Sequence, residues 1–300
     1  MNRVAQHPVQ AFAAALGAVA VLSIMDAVMK HLVLAIGIVA VSVWRSAANL
    51  SVSTALYLPT RSGWPPARTL RVHVLRGLVV TVMAALFFWG IGRVPLAQAI
   101  ALTFIAPLIA MLLAAVFLDE QIGRSSIAGS LAAFSGVIVI VLGQARAHVG
   151  NQALLGIAAI IGSALCYTVN IVLMRRQALA ARPLEINFFQ SMTVMALWLV
   201  AIPIVGAPPW PAGQVGWIAV ACLLSTSGTL LFAWAYARGP ASYLAATEYS
   251  GFLWAAVLGW IIFHEPLSSY TLAGALLIVG GCLFAARGKV SEPPEIDVAA

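Results

Sequence analysis

The sequence predicts an all-α, polytopic membrane protein: ten transmembrane helices arranged as two inverted five-helix repeats. Composition, the spacing of apolar runs and a self-match within the chain carry that prediction. The 300 residues are 62% hydrophobic and only 8% charged, with a mean hydropathy of +1.01. That composition is far from that of a soluble domain.

A hydrocarbon core roughly 30 Å thick takes about 20 apolar helical residues per crossing. Ten runs of that length occur, near 9–30, 34–58, 72–92, 95–118, 124–143, 153–174, 184–206, 213–237, 240–263 and 269–287. Each is continuously apolar rather than alternating. This indicates helices, which satisfy their backbone donors internally, and not barrel strands. The connecting loops are short and leave no room for a soluble domain or an ATPase, and there is no GxxxxGK[ST] phosphate loop.

The net charge of +7 is a topology signal rather than a nucleic-acid footprint. With the N-terminus inside, Arg3, Arg61, Arg68, Arg71, Arg124, Arg175, Arg176, Arg182, Arg238, Arg287 and Lys289 fall on the inner side. Only Lys30, Arg93 and Arg146 fall on the outer side. That asymmetry predicts a multi-pass protein of the cytoplasmic (inner) membrane with both termini in the cytoplasm. The partner expected from this asymmetry is the lipid bilayer. Nucleic acid is not expected.

Cys166, Cys222 and Cys282 lie inside apolar runs without CxxC spacing, which predicts free thiols. The histidines form no HExxH or HxxxH pattern, so neither a metal nor another cofactor is expected.

A shift of 145 residues lays the second half on the first. Trp89 meets Trp234, Arg93 meets Arg238, Pro95 meets Pro240, Glu120 meets Glu265, and Gly129 and Gly136 meet Gly274 and Gly281. Gly17 meets Gly162, Lys30 meets Arg175 and Ser46 meets Ser191. The first run therefore has a counterpart and reads as a retained helix rather than a cleaved signal peptide, despite the basic start and AFAAALGAVAVLSIM. Five crossings per repeat is an odd number, so the second repeat enters the membrane inverted, a build associated with alternating-access transporters. The predicted division is 1–147 for the first repeat, 148–290 for the second and 291–300 for a disordered cytoplasmic tail.

The segment PLAQAIALTFIAPLIAMLLAAVFLDE followed by IAGSLAAFSGVIVIVLG, and its second copy PASYLAATEYSGFLWAAVLGWIIFHEPLSSYTLAGALLIVGG, resemble the drug/metabolite transporter superfamily, EamA type. The resemblance extends from about Ala11 to Arg287; the second copy departs from it by having Phe252 where the first has Pro107. It implies a ten-helix carrier, not an enzyme, with its path between the repeats and the fifth and tenth helices peripheral. Such carriers are commonly exporters of metabolites, amino acids or drugs, and within the family the overall likeness implies a YddG-like exporter of aromatic and other amino acids.

Polar residues inside apolar runs are costly and tend to face a cavity or one another. Arg45, about 16 Å into the second run at 1.5 Å per residue, is placed near mid-membrane. There it either grips a substrate carboxylate through two parallel hydrogen bonds or braces the bundle. Its repeat mate is the neutral Gln190. Asn49 at i+4 and Ser42 at i−3 complete a polar stripe.

Glu248, whose repeat mate is Thr103, either carries protons or pairs with Arg45 or Arg76. Tyr167 and Asn170 share a face of the sixth run as substrate contacts or interhelical glue. Trp89, Trp234, Tyr249 and Trp254 are candidate apolar walls, or interface anchors. Asp26 reads as an interfacial i,i+4 ion pair with Lys30, and Arg76 as a side chain snorkelling to cytoplasmic headgroups.

The substrate-binding set is thus Arg45, Asn49, Trp89, Thr103, Tyr167, Asn170, Glu248 and Tyr249, for export of small amphipathic metabolites, chiefly amino acids including aromatic ones. A multidrug or quaternary-amine exporter is the alternative, favoured by an acid-centred site. An intramembrane enzyme lacks any convergent catalytic set.

Overall fold

In the computed structural model the described residues are 8–61, 63–106, 109, 124–146, 151–178, 181–236, 247–248 and 250–286. Among them every regular element is helical. They are α1 (Pro8–Tyr57), α2 (Ala67–Ile91), α3 (Leu96–Thr103), α4 (Arg124–Arg146), α5 (Asn151–Ala178), α6 (Pro183–Val205), α7 (Val215–Tyr236), α8 (Ser250–Phe263) and α9 (Ser269–Ala286). A 3₁₀ turn, Leu58–Thr60, follows α1.

The first two apolar runs form one kinked element rather than two separated helices. α1 spans 50 residues, roughly 75 Å at 1.5 Å per residue, far more than one bilayer. It breaks at Gly37, with φ 78° and ψ 161°, a region essentially restricted to glycine. The bend falls there, and not at 31–33, because Gly37 is the one residue of that stretch without a Cβ to forbid it.

Other helix ends follow local chemistry. Pro95 precedes the first turn of α3, and α6 begins at Pro183, whose fixed φ suits a helix start. Gly206, at φ 89°, ends α6 and donates its N–H to Ile202 O at 2.8 Å.

Five helical stretches are long and apolar enough to cross a membrane: Val9–Thr60, Ala67–Ile91, Asn151–Asn170, Leu184–Val205 and Val215–Phe232. Phe134–Gly143, Ser250–Phe263 and Ser269–Gly281 are shorter apolar helices. Large apolar side chains point outward along them, including Leu131 and Phe134 on α4, Ile204 on α6, Leu223 on α7, Trp260 on α8 and Leu276 on α9. In water such a surface would aggregate; in lipid it is the ordinary outer face of a bundle.

The main pairings are α4 with α9, α1 with α7, α2 with α5, α1 with α6 and α2 with α6. Shifting by 145 residues exchanges α1 with α5 and α6, and α2 with α7. The α1–α7 pairing therefore has the α2–α5 pairing as its counterpart. α4 and α9, which correspond to each other, pack together through glycine. An added Cβ on Gly136 would lie 2.5 Å from Gly274 O, and one on Gly274 would lie 2.6 Å from Gly136 O. Gly274 thus packs across to α4. The largest buried cluster gathers α1, α2, α3 and α5 around Met29, Leu32, Ile91, Leu102 and Ile160.

Candidate functional site

The kink at Gly37 divides α1 into two parts. Asp26 and Arg45 lie on either side of it. Both side chains are half-buried. They are within electrostatic reach of each other, and Arg45 is also within reach of Cys222 on α7.

The Arg45 guanidinium lies 5.1 Å from the centroid of Phe88, a cation–π contact. Its Nε is buried and donates to no acceptor among the described residues. Such an orphan donor is a group that a bound carboxylate would satisfy. Cys222 is nearly inaccessible.

Asp26 does not pair with Lys30. Lys30 instead donates to Val94 O at 2.7 Å and forms an ion pair with Glu265, 235 positions away. This leaves the Asp26 carboxylate without a hydrogen bond or salt bridge among the described residues. The i,i+4 expectation fails because Lys30, 4% exposed, turns into the bundle, where a carboxylate and a carbonyl are available.

The other anticipated residues divide into groups. Tyr167 on α5 packs on the main cluster, and Glu248, half-buried, lies within electrostatic reach of it. Asn49 is half-buried one turn beyond Arg45. Thr103, also half-buried, bonds its own helix, Oγ1 to Ile100 O at 2.7 Å. Trp89 lies under Arg93, whose Cζ stands 3.4 Å from the ring centroid while Nη1 donates to Trp89 O at 3.0 Å, so the indole is capped at the end of α2. Trp234 and Trp254 are exposed. Tyr249 lies outside the described residues, as do Glu120, Pro107 and the 291–300 tail.

Asn170 is held in a separate buried network. Arg76 Nε donates to Asn170 Oδ1 at 2.9 Å and Arg76 Nη1 to Gln177 Oε1 at 2.6 Å. Gln177 Nε2 reaches His73 Nδ1 at 2.7 Å, and His73 Nε2 stands 3.2 Å from Glu185 Oε1. Arg76 is 9% exposed, so it does not snorkel to headgroups: the amides of α5 satisfy its charge more closely than lipid phosphates would. The ring of His73, fully buried, stacks on Phe189 with centroids 5.0 Å apart and planes 6° apart.

The sequence reading missed His73, Gln177, Glu185 and the unpaired state of Asp26. For Lys30 and Glu265 a signal existed, since both have charged repeat mates in Arg175 and Glu120. Among the described residues no three His, Cys, Asp or Glu side chains gather as for a metal ion.

The EamA-like transporter family model matches the chain twice, over residues 10–142 and 154–287. The pseudopaline exporter CntI of Pseudomonas aeruginosa (strain UCBPP-PA14) is 25% identical over 272 residues, covering 89% of this chain and 92% of that protein. An S-adenosylmethionine uptake transporter of Rickettsia bellii is 26% identical over 71% of each chain. A riboflavin transporter of Rhizobium johnstonii is 27% identical over 73% of this chain and 70% of its own. A solved crystal structure matches with a TM-score of 0.60 at 21% identity, covering 92% of this chain and 97% of that one, and so shares the fold. The chain is a multi-pass membrane transporter, not an enzyme, and belongs to the EamA-like transporter family.

Proposed function

We propose that this transporter exports amino acids and related zwitterionic metabolites from the cytoplasm by alternating access. In this reading ten crossings form two inverted repeats in the inner membrane, with both termini in the cytoplasm. The observation that carries it is the Arg45 guanidinium, with its orphaned Nε and the Phe88 ring 5.1 Å away, within electrostatic reach of an Asp26 carboxylate that makes no hydrogen bond among the described residues. A cation alone would suit organic acids and an acid alone would suit amines. Both signs within reach of each other suit a ligand bearing a carboxylate and an ammonium, each relieving a charge that is poorly solvated in the protein. Phe88 and Tyr167 offer apolar surface to the side chain. Glu248, beside Tyr167, is the candidate proton carrier.

Exchange of the helix pairings under the 145-residue shift supports the inverted-repeat architecture, because two related halves must repeat one set of contacts. The relatives include both an exporter and uptake carriers, so outward flux rests on the family resemblance.

The test is uptake of a labelled amino-acid panel into liposomes holding the purified protein, with and without a pH gradient. Saturable uptake of amino acids, aromatic ones included, is expected. No amino-acid uptake alongside clear uptake of organic cations would overturn the reading in favour of an amine exporter. Rates indifferent to the gradient would remove Glu248 from proton carriage.

A further inference from the structure

At one end of the bundle several contacts converge on a single carboxylate. Glu265, in the α8–α9 connection, receives Lys30 Nζ on Oε1 and the Leu96 N–H on Oε2 at 2.8 Å. Lys30, from α1, also holds Val94 O in the α2–α3 connection and sits 5.2 Å from the Phe263 ring centroid. The Glu265 N–H donates to Gly259 O at 3.1 Å, which fixes the turn that presents the carboxylate. The two side chains are 5% and 19% exposed. One ion pair therefore joins α1, the start of α3 and the end of α8. Lys30 lies in the first family match and Glu265 in the second, so the tie crosses the two halves.

The Arg76–Gln177–His73–Glu185 network also crosses the halves, at the opposite end. His73 lies 18 residues before the last residue of α2, roughly 27 Å along its axis, and Val94 lies just beyond that residue. Arg45 thus belongs to a bundle tied at both ends, and in the carrier reading passage of a solute requires each tie to part in turn. An ion pair suits that duty. Its charges are costly to separate while dry, but water entering an opening gap solvates each of them.

We propose that Lys30 and Glu265 form a latch that is made when this end of the path is shut and parted when it opens. The proposal rests on the carrier reading for the existence of two access states, but not on the identity of the substrate.

Cys222, buried here and within electrostatic reach of Arg45, becomes labelled only when an opening reaches it, and so serves as the reporter. With Cys166→Ser and Cys282→Ser in place it is the single thiol, and its labelling by a membrane-impermeant maleimide is followed from each face of sealed vesicles without substrate. Glu265→Gln and Lys30→Gln are each expected to raise labelling about tenfold from the Glu265 face and lower it from the other, as a shifted two-state equilibrium requires. Lys30→Gln leaves Glu265 on the Leu96 N–H, perturbs the fold least, and decides the matter if Glu265→Gln does not fold. Labelling that changes on neither face, or rises equally on both, would mean a static brace and overturn the latch. Because labelling is read without substrate, failure of amino-acid uptake leaves this result standing.

Discussion

Gln177 and His73 are bonded in one fixed direction. The Gln177 Oε1 is taken by Arg76 Nη1 at 2.6 Å, so its amide N–H faces His73 Nδ1 at 2.7 Å. Nδ1 then accepts, the ring proton of the neutral tautomer sits on Nε2, and it points at Glu185 Oε1 3.2 Å away. The result is a run of donors oriented from Arg76 to Glu185 that couples α2 to α5 and α6.

Gln177→Leu removes the centre of that run and strands Arg76 Nη1 and His73 Nδ1 in a buried place. Two unsatisfied groups at about 1–3 kcal/mol each predict a loss of about 2–6 kcal/mol. Thermal unfolding in detergent should show a clearly lowered midpoint. An unchanged midpoint would mean that water reaches the network.

Arg93→Gln tests the opposite case. Its guanidinium stacks on Trp89 and bonds Gln152 Oε1 at 3.2 Å, but it lies at a partly exposed helix end. A cation–π contact in such a place contributes about 0.5–1 kcal/mol. The same unfolding assay should register a shift no larger than that, well below the effect of Gln177→Leu.

Gly136→Ala places a methyl group 2.5 Å from Gly274 O and 2.7 Å from Ile278 Cγ1, closer than any real contact. α4 and α9 must separate, at an overpacking cost of about 1–3 kcal/mol. Gly280→Ala meets nothing within 4 Å and should be neutral or slightly stabilising, through better helix propensity. Equal melting of the two variants would contradict the close α4–α9 seam.

Gly37→Ala also meets no neighbour, but it forces a Cβ into a backbone region reserved for glycine. A cost of about 1–3 kcal/mol is expected, relieved by straightening α1. Straightening moves Asp26 relative to Arg45, so transport should fall further than stability does. A variant with normal transport kinetics would show that the bend does not set the site.

Much of this architecture is legible from the chain because lipid imposes a strong rule: apolar length alone marks a crossing. The residues that went astray share one cause. Lys30 has a carboxylate four residues away in Asp26, and Arg76 sits near enough to a helix start to reach headgroups, so local spacing offers each a plausible partner. Their true partners are 235, 94 and 101 positions distant, and no local pattern encodes such a contact. Arg45 stands out in the sequence because a charge in mid-run has no cheap local answer. Asn170 stands out as a polar residue inside an apolar run, but only its distance to Arg76 reveals what it bonds.

The central claim is tested most directly at Arg45. Arg45→Gln installs the residue of the other repeat, an amide without charge, and binding is measured by titration calorimetry on the purified protein with phenylalanine and with its decarboxylated amine, phenethylamine. The account predicts that the variant stays folded, loses at least about tenfold in affinity for the amino acid, the scale of one charge-assisted hydrogen bond, and is little changed toward the amine. Unchanged amino-acid affinity in the folded variant would contradict it and make Arg45 a brace.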